Sequence, residues 1–534
     1  MIGESLGPRF GPLRDSNGSV PVRATDPQLP ILTVVTIDPR TPVLIGSGQT
    51  LHRSTSLADA KEPTVLMAEA IRQAALDAGL TSVPNPDSLR VVGLLSWRYG
   101  DPAWVVADQM GLTPRETGVT SMGGNSPQTL VNLTASQIQR GQIDLAILTG
   151  GEATRTRHRA RKAGEIIEWP KAPADQMPQL FSDPDMQGPF DLAMNHPDEI
   201  ARGLVMPVQV YPMFESAIRA AANRQPEEHQ RVISELWSRL SDVAASNPNA
   251  WSRQPRSAEE IRTPTPANRM IGAPYPKLMN SNNDVDMGAA LIMCSAAKAQ
   301  SLGVPRDRWV FVHAGTDCHE HQYISHRWSF CETPAIALGG RRALDLAGIG
   351  IDDIDVVDLY SCFPAAVQLG AQSLGLSLDR QLTRTGGLPF AGGPWNNYVM
   401  HAIATTMNDL RQRPGEPGLV WANGGYATKH SFGVYSTQPS PTGFRHEYPQ
   451  SEIDALPSRA LADPTSAVGQ ATIEAYTVMH SREGQPEKAI AACLLDDGRR
   501  AWGMSEEPGL ATAMCSGEWV GRSVELDPTG TLAA

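Results

Sequence analysis

Two glycine-rich turns are the stretches of this sequence best suited to binding a small anion. Gly123 and Gly124 lie in TSMGGNS, directly before a predicted helix, and Gly393 lies in AGGPW before another. The first N–H groups of a helix have no partner within the helix, so they can bind an oxyanion without help from a side chain. Together with Gly424, which ends a predicted strand, these glycines are our candidate ligand-binding residues.

Three side chains near the turns are candidates for acid/base or hydrogen-bonding chemistry. Tyr360 follows a predicted strand, where its phenol either donates a hydrogen bond or, with a lowered pKa, acts as a base. Asn423 and His430 flank the second glycine pair in ANGGYATKHS, and His430 is the best-placed imidazole. The competing interpretations are a core tyrosine and a histidine in a surface loop. We interpret Cys362 as a small buried hydrophobic residue and not as a nucleophile.

The densest basic run of the chain is RTRHRARK, residues 155–162. Arg155, Arg157 and Arg159 are candidates for binding the phosphates of a nucleotide, because guanidinium groups form paired hydrogen bonds with phosphate oxygens. The competing interpretation is a solvated helix face without a ligand.

A histidine-rich segment, HAGTDCHEHQYISHR at residues 313–327, raises the question of a metal site. Its candidate ligands are Cys318, His319, His321 and His326, but their spacing is not that of a structural zinc site and no CxxC pair accompanies them. We therefore expect no metal site. The sequence also lacks GxGxxG, so no dinucleotide-binding site is predicted.

Composition narrows the class of protein. A chain of 534 residues is long enough for about three or four domains. Its formal net charge of -12 opposes binding to nucleic acid or to an anionic membrane surface. Six cysteines without a CxxC pair are typical of reduced thiols in the cytoplasm. Because no apolar run reaches the roughly 18 residues of a membrane-spanning helix, we expect a soluble, cytoplasmic protein without membrane insertion.

The elements that must position the candidate residues occur twice. A glycine turn, an amphipathic helix, a buried strand and a glycine pair run through residues 120–151 and again through residues 389–425. Upstream, ALDAGL and LRVVGLLS recur as LDLAGI and IDVVDLYS, and all these pairs lie roughly 265 to 275 residues apart. This self-similarity indicates one half that is duplicated within the chain, and its alternation of strands and helices favours a parallel sheet.

The duplicated halves resemble the thiolase superfamily, and in particular the thiolase-like proteins of type 1, which are similar to SCP2-thiolases. The resemblance runs from about Thr41 to Tyr435 and includes VDMGAA, residues 285–290, where thiolases carry a DGAA motif. It implies an α/β protein with a duplicated five-layer αβαβα fold and a helical loop domain as an insertion. The last segment, with short strands and an Asp497–Gly498 hairpin turn, looks like the additional OB-like, all-β barrel of the type 1 proteins.

The resemblance and the changes in composition together predict the domain boundaries. We expect a flexible extension, a first thiolase half in two pieces, a loop domain, a second thiolase half and a C-terminal β-barrel. In that order they are residues 1–40; 41–153 with 278–303; 154–277; 304–440; and 463–534.

The catalytic residues of thiolases are missing at the matching positions. The nucleophilic cysteine falls on Gly123, the histidine of the GHP motif on Gly393, and the cysteine of the CxG motif on Ala422. Without the sulfur and its base, the covalent acyl-enzyme of thiolases cannot form. We therefore predict no thiolysis or Claisen condensation through an acyl-cysteine.

Two functions remain as predictions. The first is an enzyme that acts on a coenzyme A thioester without an acyl-cysteine, for example in a retro-aldol cleavage with Tyr360 or His430 as acid/base. The second is a non-catalytic protein that binds acyl-CoA or lipid. The resemblance implies that the three arginines of the basic run contact the phosphates of coenzyme A and that Asn282 contacts its pantetheine. We expect coenzyme A only as part of the ligand, no other tightly bound cofactor, and a monomer, with a dimer as the alternative.

Overall fold

The computed structural model describes residues 37–181, 194–463 and 467–533. The predicted N-terminal extension therefore lies outside the described residues, except for residues 37–40. Strands and helices alternate through the first part of the chain, and three helices carry proline at their first or second position, where its missing N–H costs nothing. These elements are β1 (Pro42–Leu51), α1 (Pro63–Asp77), β2 (Ser88–Val91), α2 (Pro102–Met110), β3 (Glu116–Thr120), α3 (Ser126–Gln139) and β4 (Leu145–Ala153).

Helices dominate the segment that follows β4. In the longest of them Ile233, Trp237 and Leu240 recur at helical spacing, and their burial fixes the helix against the rest of the molecule. The segment consists of α4 (Thr154–Ala163), β5 (Gln179–Phe181), α5 (Pro197–Ala201), α6 (Pro207–Ala221), α7 (Pro226–Ser246), α8 (Ala258–Arg262), β6 (Met270–Gly272) and β7 (Tyr275–Pro276). Two further elements, β8 (Asp286–Ser295) and α9 (Ala296–Ser301), return to the sheet.

The second half repeats the strand pairing of the first. Its elements are β9 (Val310–His319), α10 (Pro334–Ala347), β10 (Val356–Leu359), α11 (Pro364–Leu374), α12 (Leu388–Ala391), α13 (Tyr398–Gln412), β11 (Pro417–Gly424), β12 (Lys429–Ser436), β13 (Arg445–Glu447) and α14 (Gln450–Asp454). In the first half β4 pairs parallel with β2 and antiparallel with β8, which pairs antiparallel with β1. In the second half β11 pairs parallel with β10 and antiparallel with β12, which pairs antiparallel with β9. These matching pairings confirm the duplication.

The two half-sheets enclose a central layer of helices. They join where β1 pairs with β9, and α3 and α13 contact strands of both halves, while α1 and α10 pack on the outer faces. This arrangement confirms the five-layer αβαβα fold. The sequence predicted α3 as amphipathic, and that prediction is wrong because both sheets cover the helix. Its buried polar residues fit against glycines: a Cβ at Gly433 would lie 2.3 Å from Gln128 Nε2, and one at Gly315 would lie 2.3 Å from Asn132 Oδ1.

The last part of the chain forms a second sheet of short strands. It contains β14 (Gly469–His480), β15 (Pro486–Leu494), β16 (Arg500–Ser505), α15 (Pro508–Cys515), β17 (Ser523–Leu526) and β18 (Leu532–Ala533). The strands follow the order β16-β15-β14-β17-β18, and a bridge between Met504 and Thr531 brings the two end strands together. Two features were not predicted: the helix α15, and the addition of β6 to this sheet through the pair Met479 and Gly272.

The free edge of the first half-sheet is covered by the chain itself. β5 pairs parallel with β3, with Gly118 opposite Gln179. A Cβ at Gly118 would lie 2.3 Å from the Gln179 carbonyl oxygen, so only glycine allows this approach. Over the residues that the structure describes, we find no helix both long and apolar enough to cross a membrane.

Candidate active site

The first glycine turn lies directly against the end of β11 and against Tyr360. A Cβ at Gly124 would lie 2.4 Å from the carbonyl oxygen of Asn423 and 2.5 Å from the Tyr360 hydroxyl oxygen. A Cβ at Gly424 would lie 2.4 Å from Asn125 Oδ1. The structure thus brings together four of the predicted site residues: Gly124, Gly424, Asn423 and Tyr360. The first glycine turn and the end of β11 approach so closely that no side chain fits between them.

The N–H groups proposed for oxyanion binding are partly used inside the protein. The Gly123 N–H donates to Asn396 Oδ1 at 3.1 Å, and Asn396 Nδ2 donates to the Gly93 carbonyl at 2.7 Å. The Gly393 N–H donates to the Asn282 carbonyl at 2.9 Å. Gly393 and Asn282, two of the candidate ligand-binding residues, are therefore neighbours. That Gly123 and Gly393 bind a ligand oxygen stays a prediction, and the ligand oxygen would have to replace the internal acceptors of both N–H groups.

The space that a histidine would need at position 393 is filled. A Cβ at Gly393 would lie 2.4 Å from Ser281 Oγ and 2.9 Å from Asn283 Oδ1. Ser281 also donates to Asn283 at 2.8 Å, which ties these side chains together. Residues 281–283 thus pack into the space where the resemblance to thiolases places the histidine of the GHP motif.

Tyr360 is buried beside the first turn and is oriented by a second tyrosine. Its ring meets that of Tyr398 edge to face, with centroids 5.5 Å apart. Burial raises the pKa of Tyr360 well above its ordinary value of 10.0, and the nearby Cys362 and Tyr398 act in the same direction. The phenol therefore stays protonated near neutral pH, which favours its role as a hydrogen-bond donor over its role as a base.

His430 lies on the face of the second half-sheet that points away from the central helices. It is fully buried on β12, so the interpretation as a surface-loop residue is wrong. Trp421 Nε1 donates to His430 Nδ1 at 3.3 Å, which places the proton of the neutral ring on Nε2. The next residue, Ser431, faces the other way and accepts from Asn132 Nδ2 of α3 at 3.2 Å. Burial lowers the pKa of His430 well below 6.5.

The side chain of Asn423 also points to that outer face. Asn423 Nδ2 donates to the Tyr211 hydroxyl at 2.9 Å, and Tyr211 donates to the Gly425 carbonyl at 3.2 Å. Only the backbone of Asn423 reaches the first glycine turn. His430 and Asn423 are therefore not positioned as an acid/base pair over the turns.

The cysteines offer no replacement for the missing nucleophile. Cys362 is buried beside Tyr211, and burial raises the pKa of its thiol to about 12. Cys318 donates to the Ala335 carbonyl at 3.3 Å, and burial raises its pKa as well. These thiols stay protonated, so neither supplies the thiolate that covalent catalysis needs.

The histidine-rich segment does not assemble a metal site. Cys318 bonds to α10, whereas the adjacent His319 lies within hydrogen-bonding distance of the Glu320 carbonyl, 2.8 Å away. His326 lies in a cluster of rings, 5.7 Å from His196 between centroids. In the described parts of the chain no group of three or more His, Cys, Asp or Glu residues is arranged to hold a metal.

The basic run forms α4, and its two faces have different roles. Arg155 Nη1 donates to the Arg53 carbonyl at 3.2 Å, and Arg159 Nη1 donates to the Ser54 carbonyl at 2.8 Å. Both arginines therefore hold a loop that precedes α1. Arg157 lies on the other face, where its guanidinium stands 5.6 Å from the centroid of the Trp97 ring.

A cavity of about 180 Å³ opens between α4 and the second glycine turn. On α4 it is lined by residues three or four apart, which share one helix face. Trp395, two residues after Gly393, forms another wall and has a φ of +46°, a strained value for a residue other than glycine. The lining residues are Leu95, Ser96, Thr154, Arg157, His158, Arg161 and Trp395.

A buried carboxylate holds one wall of this cavity. Glu152, at the end of β4, accepts from the N–H groups of Leu95 at 2.7 Å and Ser96 at 2.8 Å. Burial raises the pKa of Glu152 to about 7, although these hydrogen bonds and the nearby Arg157 lower it. The charge of Glu152 therefore changes near neutral pH.

Several residues of the site were missed from the sequence, among them Arg161, Glu152 and Asn396. Arg161 had a signal, because it follows Arg157 by four positions and so shares its helix face. Glu152 also had one, as a single acidic residue inside a buried strand. Asn396, which occupies the Gly123 N–H, had none, since it lies in an irregular turn that follows Pro394.

Comparison with known proteins identifies the family. Residues 449–531 match the family model described as the thiolase-like protein type 1 additional C-terminal domain. A monomeric SCP2-thiolase-like protein type 1 from Mycobacterium smegmatis has a crystal structure similar to this one, with a TM-score of 0.78 and 31% sequence identity. The similarity covers 93% of this chain and 100% of that chain. The chain belongs to the SCP2-thiolase-like proteins of type 1.

More distant relatives show which fold this type 1 protein shares. The Ltp2-ChsH2(DUF35) aldolase has a TM-score of 0.55 at 18% identity, covering 75% of this chain and 99% of that one. A 3-ketoacyl-CoA thiolase from Escherichia fergusonii is 27% identical over 161 residues, which are 27% of this chain and 35% of that protein. The type 1 protein thus matches about a third of the length of such curated thiolases. These comparisons do not establish the activity of this type 1 protein.

Proposed function

We propose that this type 1 protein binds a coenzyme A thioester in the cavity between α4 and Trp395, without forming an acyl-cysteine. The observation that carries the proposal is the composition of the cavity wall. Arg157 and Arg161 offer cationic groups on one side, and Leu95 and Trp395 offer apolar surface on the other. A phosphate-bearing ligand with an apolar arm needs both.

The position of the cavity supports the same proposal. Trp395 follows Gly393, whose N–H is bound to the Asn282 carbonyl, so the cavity opens next to the second glycine turn. Thiolase relatives share this fold, and a 3-ketoacyl-CoA thiolase is by its name a protein of coenzyme A thioesters. We place the phosphates of the ligand at Arg157 and Arg161 because both line the cavity, whereas Arg155 and Arg159 hold the loop before α1. Arg157 Nη1 also donates to the Ser96 carbonyl, so it is the remaining donors of this guanidinium that face a phosphate.

The hydrogen bonds of the glycine turns support binding of a thioester without covalent chemistry. Gly123 and Gly393, which stand where thiolases carry the nucleophile and its base, have N–H groups with internal acceptors. Burial keeps the thiols of Cys318 and Cys362 protonated. The geometry therefore supports a binding protein better than an acyltransferase.

The test is isothermal titration of the purified protein with acetyl-CoA and with longer acyl-CoA esters. A double variant, Arg157→Gln with Arg161→Gln, should weaken binding at least about tenfold, because two charge-assisted hydrogen bonds are lost. Lys162→Gln is the matched control, as an exposed cation of the same helix that does not line the cavity. If no ester binds, or if the double variant binds as well as the control, the assignment fails.

One observation favours an enzymatic alternative. The Tyr360 hydroxyl is protonated and lies next to Gly124, so it can donate to a ligand oxygen if the turn opens. An aldolase is among the proteins of similar fold, which makes retro-aldol cleavage of a coenzyme A thioester the second candidate. Tyr360→Phe should then abolish product formation and leave thioester affinity within about twofold. If the wild-type protein yields no product from its best ligand, binding remains as the only candidate function.

We also propose that the protein is a monomer. β5 pairs along β3, so β3 itself cannot pair with a strand of another subunit, and the new edge strand, β5, has only three residues. The similar Mycobacterium smegmatis protein is described as monomeric. Light scattering coupled to gel filtration, with dilution as a variable, measures the mass directly.

A further inference from the structure

A second cavity, of about 720 Å³, lies along the C-terminal part of α13. α13 begins at Tyr398, close to Tyr360 and the glycine turns. The first residue of α13 that lines the cavity is Thr405, which lies seven positions further, or about 10 Å along the helix. This cavity is therefore separate from the one between α4 and Trp395.

The charges around this cavity are unusual for an acidic protein. Four arginines line it and two aspartates oppose them, although the whole chain has a formal net charge of -12. Two more carboxylates, Asp77 and Glu416, pair with three of these arginines, so the cavity offers a cluster of guanidinium donors and not a net positive charge. The charged lining residues are Arg308, Arg384, Arg411, Arg413, Asp307 and Asp409.

Arg384 is the strongest indication that a ligand is recognised here. Its side chain is only 7% exposed, and its Nε atom has no hydrogen-bond acceptor among the residues that the structure describes. The same Nε atom forms an ion pair with Asp409 Oδ2 at 3.5 Å, without a hydrogen bond, and Arg384 Nη2 donates to the Asp355 carbonyl at 2.5 Å. A buried N–H without a hydrogen-bond acceptor destabilises the protein, and a bound oxyanion would supply the acceptor.

Two more arginines keep donors for a ligand. The Arg308 and Arg413 side chains are 47% and 45% exposed, and their carboxylate partners lie at 3.6 Å (Asp77) and 3.4 Å (Glu416). A guanidinium has five N–H donors, so one distant carboxylate leaves most of them for other acceptors. Arg411, by contrast, donates to Asp77 at 2.7 Å and serves to hold the wall.

We propose that this cavity binds a phosphate-bearing organic anion of nucleotide size. Arginine binds phosphate in a paired, planar geometry, which fits the donors just described. The volume is far larger than a free phosphate needs and lies in the range of pockets for small organic ligands. Asn249, Asn408 and Gln412 also line the cavity, and their amides offer donors and acceptors to a base or a sugar.

The experiment is calorimetric titration of the full-length protein with AMP and, separately, with inorganic phosphate. AMP should bind more tightly than phosphate, and Arg384→Gln should weaken AMP binding at least about tenfold. Because Arg384 is buried, the exposed pair Arg308→Gln with Arg413→Gln provides a second variant that tests the same cavity without touching the core. Arg342→Gln, an exposed arginine outside the cavity, is the matched control and should bind AMP like the wild type.

The variant Arg157→Gln with Arg161→Gln separates this inference from the proposed function. It should bind AMP with wild-type affinity while it loses affinity for coenzyme A thioesters. Three results would overturn the inference: no binding of AMP at millimolar concentration, equal affinity for phosphate and AMP, or cavity variants that bind AMP like the control. Loss of AMP binding in the α4 variant would mean that AMP occupies the first cavity, and would overturn it too.

Discussion

At the residue scale, Gly393 and Gly124, which match the thiolase histidine and the neighbour of the thiolase nucleophile, do not leave empty space. The Cβ positions of Gly124 and Gly393 are filled by Tyr360 and by Ser281. The sequence predicted which chemical groups were lost, because the motifs could be matched position by position. It could not predict what fills their space, since the filling residues come from segments more than 100 residues away in the chain.

Gly124→Ala should destabilise the protein by about 3 kcal/mol, the upper range for overpacking of a well-packed site. The added methyl group would lie 2.4 Å from the backbone oxygen of Asn423, which cannot rotate away. Gly517→Ala is the control, because its only close neighbour is the end of the Arg522 side chain at 3.6 Å. Urea unfolding of both variants measures the difference, and equal midpoints would contradict this packing.

Glu152 should make stability depend on pH. Its folded-state pKa, about 7, lies above the ordinary 4.5, so the protonated form is favoured in the folded protein. This contribution is complete below about pH 4.5 and is lost as the pH rises through about 7, for a total of about 3 kcal/mol. Relative to Glu152→Gln, the wild type should therefore lose stability between pH 5 and pH 8. Parallel denaturation curves at each pH check this, and identical slopes for the two proteins would refute it.

At the element scale, the periodicity of the sequence was enough to predict the elements of the duplicated halves but not the short elements outside them. β4 and β11 were visible as buried strands that end in glycine pairs, and each was found in the predicted place. The helix α15 was missed because PGLATAMC is short and apolar and stands among strands. β5 was missed as well, since three residues show no alternation and pair only because Gly118 of β3 lets them approach.

Removing β5 should expose the β3 edge and promote self-association. Leu180 lies opposite Val119 in the parallel pair, and Leu180→Pro removes the N–H that a ladder position needs. Met177→Pro, just outside the strand, is the control. Analytical ultracentrifugation should show a concentration-dependent larger species for Leu180→Pro only. A variant that stays monomeric at all concentrations would mean that β5 does not protect the edge.

At the scale of the whole molecule, the C-terminal sheet is tied to the rest of the chain by ionic contacts that span long sequence distances. Arg219 on α6 donates to Glu518 at 2.7 Å and to the Tyr476 hydroxyl at 2.8 Å. Arg500 pairs with Glu474 at 2.8 Å and also donates to the carbonyls of Ser325 and Arg327. No sequence pattern predicts such contacts, because each joins residues brought together only by the complete fold. The predicted domain boundaries therefore describe the order of the segments and not their independence.

Arg500→Gln tests whether this sheet unfolds together with the thiolase-like halves. The Arg500 side chain is fully buried, so its loss leaves Glu474 without its cation and three carbonyls without donors, at a cost of about 3 to 5 kcal/mol. The adjacent Arg499→Gln removes an exposed pair with Asp497 and should cost under about 1 kcal/mol. Calorimetry should show one unfolding transition for the wild type and for Arg499→Gln. For Arg500→Gln we expect an earlier transition, because the contacts that join the sheet to the segment 324–327 are weakened. A wild-type protein that already melts in two steps would show that these contacts do not couple the two parts.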